Sequence, residues 1–221
     1  MMGFDLIFGP SVERGPRNRR IYLTFDDGPN ERATPAILET LAGAAEGGAG
    51  GGVPAAFFMV GDHVRRFPVL ARRVMSEGHM VGNHTHNHVK LHFAGQRRIR
   101  HQLEVAHRAI EWATGLTPRA FRAPHGYRSL FLRTAARELG YTVFGWTFGV
   151  FDTARPGVDE IRRRVRKRLR PGAIVLLHDG DGYDPEGDRM ETAKALPGII
   201  EDAQAAGYGF GSLNELLNNH S

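Results

Sequence analysis

The chain contains no cysteine, and this absence excludes two kinds of site. Disulfide bonds cannot form, and no thiolate is available to bind a metal ion. The absence fits a reducing compartment without proving one, since many secreted bacterial proteins also lack cysteine.

The first ten residues are poor in the features of a secretory signal. They hold Asp5 inside a short apolar stretch with no basic segment before it, and that stretch is too short to span a bilayer. We therefore expect a cytoplasmic protein with no membrane span. A secreted protein is the alternative if the sequence has been trimmed.

Nothing in the composition indicates a second domain. The 221 residues are 41% hydrophobic and 24% charged, which is typical of one globular domain with a full core. The glycine-rich stretch at residues 47–52 lacks the Lys-Ser/Thr pair of a phosphate-binding loop. It is predicted to be a flexible surface insertion.

Positive charge is in excess, with a net charge of +5. The basic run at residues 162–170 is the strongest indication of a nucleic-acid partner. However, Ile161, Val165 and Leu169 recur every four residues, which places the basic residues on the solvated face of an amphipathic helix. Because no aromatic residues are interleaved with the run, we predict no nucleic-acid partner.

The apolar pattern predicts strands that alternate with helices. Predicted strands cover residues 21–25, 55–60, 80–81, 120–122, 141–148, 173–177 and 208–213. Predicted helices include one capped by Thr34 and others at residues 67–77, 99–110, 130–139 and 191–206. Repeated βα units indicate a mostly parallel sheet, either a barrel or a doubly wound fold, with functional residues at the carboxyl ends of the strands.

Two adjacent carboxylates, Asp26 and Asp27, end the first predicted strand within the sequence TFDDGP at residues 24–29. Like charges held side by side repel, and a cation or a shared proton would relieve the repulsion. Candidate partners for a cation are His84 and His88, whose four-residue spacing directs both imidazoles the same way if they lie on a helical turn. The alternative is a simple turn and a polar surface loop.

One carboxylate and two imidazoles form a common ligand set for a catalytic divalent ion, with the remaining positions left to water. Zinc is the first choice, and cobalt, nickel, manganese or iron suit the same ligands. Further polar residues also follow predicted strands, namely Arg122, Asp152 and His178. We expect all of them to converge on one face of the fold.

These motifs resemble those of the polysaccharide deacetylases, carbohydrate esterase family four, also called the NodB-homology domain. TFDDGP at residues 24–29 is similar to the first family motif, and HTHNH at residues 84–88 is similar to the second. The resemblance covers residues 21–216, which leaves residues 1–20 as an N-terminal extension and residues 217–221 as a C-terminal tail. It implies a single-domain, distorted (β/α) barrel with about seven βα units.

The first two motifs imply roles for five residues. Asp26 is expected to be the general base. Asp27, His84 and His88 are expected to bind the metal, and Thr85 to hold their loop by hydrogen bonding.

The third motif is similar to RAPHGY at residues 122–127. It implies that Arg122 orients the catalytic aspartate and that the main-chain N–H of His125 donates to the oxyanion. Tyr127, in the same motif, is expected to contact the substrate.

The fifth motif is similar to LLH at residues 176–178, which implies that Leu176 lines the pocket for the acetyl methyl group and that His178 is the general acid. The fourth motif, GVFDT at residues 149–153, keeps the partner of that histidine, Asp152. It lacks the family's first aspartate, at Gly149, and has Thr153 where the family usually has tryptophan. One wall of the acetyl pocket would then be absent unless another aromatic residue supplies it. Trp146 is the candidate, although it also fits a core position.

The resemblance implies a metal-dependent hydrolase that removes acetyl groups from N-acetylated sugars, such as chitooligosaccharides or peptidoglycan-like glycans. A metal would polarise the acetyl carbonyl and activate water, Asp26 would take the proton, and His178 would protonate the departing amine. The alternatives on the same fold are an O-acetyl esterase acting on xylan and an amidohydrolase acting on a small cyclic amide. A non-enzymatic glycan-binding protein is a further alternative.

Overall fold

All strands of the sheet run parallel, and their order brings together residues that are distant in sequence. The computed structural model describes residues 8–44 and 52–220, so the glycine-rich stretch lies outside the described residues except for Gly52. The described strands are β1 (Arg20–Asp26), β2 (Ala55–Met59), β3 (Met80–Asn83), β4 (Ala120–Phe121), β5 (Thr142–Val143), β6 (Phe148–Gly149), β7 (Ile174–His178) and β8 (Gly209–Phe210).

The strand order is β5-β4-β3-β2-β1-β7-β6, and β8 pairs with the start of β1. The register places Asp26 beside Phe58 of β2 on one side and beside His178 of β7 on the other. The ends of the two central strands therefore carry the two predicted acid–base residues as neighbours. The curled parallel sheet with surrounding helices confirms the predicted single-domain, barrel-like (β/α) fold.

Side chains of β1 alternate between two layers, as the two-residue period of a strand requires. Ile21, Leu23 and Phe25 pack with the helices in the main core. Tyr22 points the other way, into a second core inside the curl of the sheet. Asp26 has the same parity as Tyr22, so the alternation directs its carboxylate to the inner face.

The N-terminal segment fills the gap between the two ends of the sheet. The N–H of Val12 donates to the carbonyl of Val143 at 2.9 Å, and the N–H of Gly145 donates back to Val12 at 2.9 Å. On the other side, the N–H of Gly15 donates to Gly172 at 2.9 Å. Main-chain hydrogen bonds from residues 12–15 therefore connect β5 to the segment that precedes β7.

This closure corrects the prediction of one strand at residues 141–148. The segment forms two separate strands, β5 and β6, at opposite ends of the sheet. Between them, Gly145 pairs with Val12, and the N–H of Thr147 donates to Ile174 at 2.9 Å. The chain therefore crosses the gap in the barrel at this point. Because apolar residues lie on both sides of the crossing, the sequence pattern does not show the break between β5 and β6.

The described helices are α1 (Ala33–Gly43), α2 (Gly61–Arg66), α3 (Pro68–Ser76), α4 (Gln96–Thr114), α5 (Leu132–Glu138), α6 (Val158–Arg166) and α7 (Met190–Ala205). The prediction missed α2. Thr34 does not cap α1 as predicted, because its hydroxyl bonds to Asp179; Asn30 accepts hydrogen bonds from the N–H groups of Arg32 and Ala33 instead.

The basic run begins inside α6, which ends at Arg166, whereas the spacing of Ile161, Val165 and Leu169 predicts a helix that reaches Leu169. Ile161 and Val165 are buried as expected. Several of the arginines bind acidic side chains: Arg163 and Arg164 contact Glu160, and Arg162 contacts Asp202. Within the part of the chain that the structure describes, no helix combines the length and apolar character needed to cross a membrane.

Gly82 provides a test of the inner packing. A Cβ atom at this position of β3 would lie 2.5 Å from the Phe58 ring, so Gly82→Ala must displace that ring. We expect a loss of about 1–3 kcal/mol in the free energy of unfolding, measured by urea denaturation. Gly43→Ala is the control, because a Cβ there meets nothing within 4 Å. Equal stability of the two variants would contradict the packing.

Candidate active site

The two adjacent aspartates at the end of β1 face different partners. Asp26 lies in the strand, whereas Asp27 has a φ of 76° and turns the chain. The turn is held from behind, because Nδ1 of the buried His63 lies 2.8 Å from the carbonyl oxygen of Asp27 and donates to it. The left-handed turn separates the directions of the two carboxylates, so adjacency in sequence does not force them to compete for one partner.

Asp27, His84 and His88 form a buried group of potential metal ligands. Oδ1 of Asp27 lies 3.3 Å from Nε2 of His84 and 3.0 Å from Nε2 of His88. Ligand atoms around a tetrahedral zinc ion, at about 2.0–2.1 Å each, are about 3.3 Å apart. The two distances from the Asp27 oxygen therefore fit a metal ion of this size, and all three ligand atoms lie within 4.8 Å of one another.

Hydrogen bonding supports the same interpretation. Nδ1 of His84 lies 2.8 Å from the carbonyl oxygen of Arg122, which can only accept, so the hydrogen is on Nδ1 and the Nε2 lone pair is free. Oδ1 of Asp27 is buried without a hydrogen bond of good geometry among the described residues. A buried carboxylate oxygen that faces imidazole nitrogens in this way is well suited to bind a cation.

The loop that carries the histidines differs from its prediction. Residues 84–88 form bends after β3 and no helical turn, with positive φ values at Thr85 and His88. The Thr85 hydroxyl has no hydrogen-bond partner within the described ranges, so this side chain does not hold the loop as predicted. The main chain of Thr85 does so, because its N–H donates to Oδ1 of Asn83 at 2.8 Å.

Electrostatics keeps the Asp27 carboxylate charged. Burial alone raises the pKa of this carboxyl, but the imidazoles of His84 and His88 beside it and the charge of His178 more than offset the burial. The pKa of Asp27 therefore lies well below its ordinary value. At neutral pH the Asp27 carboxylate is ionised, as a metal ligand must be.

Arg122 holds Asp26 inside the barrel. One guanidinium nitrogen, Nη1, donates to Oδ1 of Asp26 at 2.7 Å and to the hydroxyl of Thr24 at 2.8 Å. The other, Nη2, donates to the carbonyl of Gly145 at 2.8 Å, and the group stacks on Phe58 with 4.1 Å between the Arg122 Cζ atom and the ring centroid. The arginine thus occupies one oxygen of Asp26 and leaves the other oxygen for chemistry.

His178 and Asp152 form a second charged pair on the opposite wall. Nδ1 of His178 donates to Oδ1 of Asp152 at 2.9 Å. The second oxygen, Oδ2, accepts the main-chain N–H of His178 at 2.8 Å and the hydroxyl of Thr192 at 2.9 Å. The imidazole is therefore fixed with Nε2 as its remaining polar atom.

Burial lowers the pKa of His178, but the charge of Asp152 and the hydrogen bond to it have the larger combined effect. The net result raises the pKa of His178 to about 9. At neutral pH the imidazole is protonated and can donate a proton.

A cavity of about 260 Å³ joins these groups. Besides the metal-ligand group, Asp26 and His178, it is lined by Leu176, Trp146 and Thr153. Trp146 is half-buried, and it both lines the cavity and packs against the second core, so it combines its two predicted positions. His125 also lines the cavity, with its ring centroid 4.8 Å from that of His88, whereas Tyr127 is absent from the lining.

Two residues of the site have no role assigned to them by the sequence analysis. Tyr183 lines the cavity, and Asp179 is fully buried beneath it. Burial and the nearby charges of Asp27 and Asp26 raise the pKa of Asp179 to about 7, although the Thr34 hydroxyl donates to it at 2.6 Å. A signal for Asp179 was present, since it directly follows His178 at a strand end; none marked Tyr183.

The geometry can be compared with known proteins. A sequence profile described as polysaccharide deacetylase matches residues 13–144. The chain belongs to this family. The family resemblance seen in the sequence motifs is thereby confirmed.

Individual relatives of this polysaccharide deacetylase match over most of their length. The chain is 38% identical over 207 residues to a chitooligosaccharide deacetylase from a Bradyrhizobium strain, and the alignment covers 90% of each chain. It is 35% identical over 206 residues to a peptidoglycan-N-acetylglucosamine deacetylase of Bacillus cereus, covering 91% of this chain and 90% of the relative.

One solved structure with the same fold is described as a pseudoenzyme. BA3943 of Bacillus anthracis, described as a pseudoenzyme of carbohydrate esterase family four, has 29% identity and a TM-score of 0.82. The alignment covers 95% of this chain and 69% of that chain. Because a pseudoenzyme shares this fold, the fold alone does not imply activity, and the side chains around the cavity decide it.

Asp152→Asn tests the His178–Asp152 pair. Removing the carboxylate charge destabilises the protonated imidazole, so the pKa of His178 should fall toward the ordinary value of about 6.5. In the original protein kcat/KM should decline as pH rises through about 9, where His178 loses its proton. In the variant this decline should begin about two pH units lower, as measured by a pH–rate profile.

Asp202→Asn serves as the control, because Asp202 pairs with Arg162 at the surface. An independent readout is stability. A raised folded-state pKa contributes stability below about pH 6.5 that is lost as pH rises through about 9, and Asp152→Asn should abolish this dependence. Unchanged pH profiles in Asp152→Asn would show that the pair does not control the proton.

Proposed function

We propose that this protein is a zinc-dependent deacetylase that removes acetyl groups from N-acetylated sugar residues of an oligosaccharide or polysaccharide. One observation carries the proposal: a carboxylate–imidazole metal group shares a cavity with a separate base and a separate acid. Metal-assisted hydrolysis of an amide uses a metal ion to activate water, a base to take its proton and an acid to protonate the amine. The relatives named as chitooligosaccharide and peptidoglycan-N-acetylglucosamine deacetylases support the choice of substrate.

Asp27, His84 and His88 would hold the metal. When bound there, a divalent ion polarises a carbonyl group and makes water more acidic. Cobalt, nickel, manganese or iron would suit the same donors. The rate of acetate release by metal-stripped protein loaded with each ion in turn compares these metals with zinc.

Asp26 would accept the proton of the attacking water. Its Oδ2 atom lies 3.8 Å from Nε2 of His84, so the oxygen that Arg122 leaves free faces the metal-ligand group. The ion pair with Arg122 fixes the orientation of Asp26, while its second oxygen stays available to accept a proton. Adjacent aspartates thus serve as a ligand and a base.

His178 would protonate the departing amine. The imidazole lines the cavity and is protonated at neutral pH, because Asp152 stabilises its positive charge. An amine is a poor leaving group unless it is protonated, so this acid matters more for an amide than for an ester. The preference for N-acetyl over O-acetyl groups rests on this pair.

The decisive assay is acetate release from N-acetylglucosamine oligomers by zinc-loaded protein. Asp26→Asn removes the base and should lower kcat by about a hundred- to ten-thousand-fold. Asp159→Asn, an exposed aspartate at the start of α6, should have no effect. An O-acetylated xylan is run in parallel, and activity on xylan alone would replace the N-deacetylase proposal with an esterase.

A further inference from the structure

The basic run at residues 162–170 has no part in the proposed chemistry, although it lies beside the loop that carries Asp152. We call residues 150–157 the acid loop, because Asp152 supports the proposed acid, His178. The acid loop connects β6 to α6, the helix in which the basic run begins. An arginine of α6 reaches back to the loop that precedes the helix.

Two arginines of the basic run donate to main-chain carbonyl groups at the start of the acid loop. Nη1 of Arg164 lies 2.9 Å from the carbonyl oxygen of Val150. Nη1 of Arg168 lies 2.6 Å from the carbonyl oxygen of Gly149. Both carbonyls lie just before Asp152 in the chain, so the two arginines hold the segment that leads to this carboxylate.

The guanidinium of Arg164 is itself held in place on the helix. Its Nε donates to Oε1 of Glu160 at 2.7 Å, one turn earlier on α6, and both side chains are half-buried. A guanidinium carries its N–H donors in a rigid plane, so the ion pair with Glu160 sets the direction of the Nη1 donor toward Val150. A lysine, whose donors share one nitrogen, offers no such fork.

The main chain of the acid loop is strained on both sides of Asp152. Phe151 has a φ of 55° and Arg155 a φ of 50°, in the left-handed region that residues with a Cβ atom rarely adopt. Such conformations persist where the surroundings fix the chain. The ring of Phe151 is 71% exposed, so its own packing supplies little restraint. The restraint therefore has to come from neighbouring residues and elements.

Helix α7 holds the other end of the acid loop. The Thr192 hydroxyl donates to Oδ2 of Asp152 at 2.9 Å. Oε2 of Glu191 accepts the main-chain N–H of Gly157 at 2.8 Å. Contacts from the basic run at the start of the loop and from α7 at its end therefore fix Asp152 between them.

We propose that Arg164 and Arg168 are positioning residues, which hold the acid loop so that the Asp152 carboxylate reaches His178. This inference rests on the proposed function, in which His178 is the acid. Arg164 is the principal residue, because Glu160 orients it and it contacts the carbonyl closer to Asp152. The role explains part of the basic run without a nucleic-acid partner.

The first measurement follows the contact between His178 and Asp152 in zinc-loaded protein. The main-chain N–H of His178 donates to Oδ2 of Asp152, so its hydrogen-exchange rate, measured by NMR, reports the position of that carboxylate. Arg164→Met should make this exchange about tenfold faster, because the loop loses one of its restraints. Arg168→Met should have a smaller effect in the same direction, because its side chain is exposed.

The pKa of His178 distinguishes positioning from a simple effect of charge. Removing the positive charge of Arg164 by itself favours the protonated imidazole, so it would raise this pKa or leave it unchanged. Loss of the contact with Asp152 lowers the pKa instead. The carboxylates of Asp27 and Asp26 also act on the imidazole, and the variants leave both in place. We expect an NMR titration of Arg164→Met to give a pKa about one unit lower.

Two further variants complete the test. Arg164→Lys keeps the positive charge and loses the planar fork, so it should also speed the exchange and lower the pKa of His178; it carries the test if Arg164→Met does not fold. Arg166→Met removes an exposed arginine from the same helix and should change neither quantity. Zinc affinity should stay within twofold in every variant. Weaker zinc binding would assign Arg164 to general stability and overturn a role specific to the acid loop.

The outcomes separate this inference from the proposed function. Unchanged exchange at His178, or a pKa of His178 that stays the same or rises in the Arg164 variants, would overturn the positioning role and leave the deacetylase intact. Faster exchange with a lower pKa, in a protein that releases no acetate, would support the positioning role and overturn the deacetylase.

Discussion

The buried guanidinium of Arg122 is the interaction on which the site depends. It is fully buried, and its charge is matched by Asp26 at 2.7 Å. Removing one partner of such a pair leaves an uncompensated charge in the protein interior, which costs about 3–5 kcal/mol. The same residue fixes the hydrogen of His84 through its main-chain carbonyl. One position therefore orients the proposed base and one of the proposed metal ligands.

The barrel fold positions the proposed base, acid and metal ligands relative to one another. Parallel strands end at the same edge, so Asp26 and His178 become neighbours although 152 positions apart in sequence by their residue numbers. The left-handed turn at Asp27 directs the next carboxylate elsewhere. This division explains how two adjacent aspartates avoid mutual repulsion: Arg122 neutralises one, and the metal-ligand group accommodates the other.

Much of this arrangement could be predicted from the sequence, because the reactive side chains lie in short motifs at strand ends. The ligand group, the Arg122–Asp26 pair and the His178–Asp152 pair all come from residues that the sequence singles out. The break between β5 and β6 was not predictable, since its cause is hydrogen bonding to Val12, far away in sequence. Tyr183 was missed for a similar reason, because only the folded loop brings its ring to His88.

A zinc titration of metal-stripped protein is the first measurement to make, because the proposed chemistry requires Asp27, His84 and His88 to bind one divalent metal ion. Calorimetry should show one zinc per chain, bound at least about a hundredfold more weakly in His84→Ala, since the variant loses one of three protein ligands. His101→Ala, which removes an exposed imidazole on α4, should bind as the original protein does. No zinc binding, or binding unchanged by His84→Ala, would contradict the account.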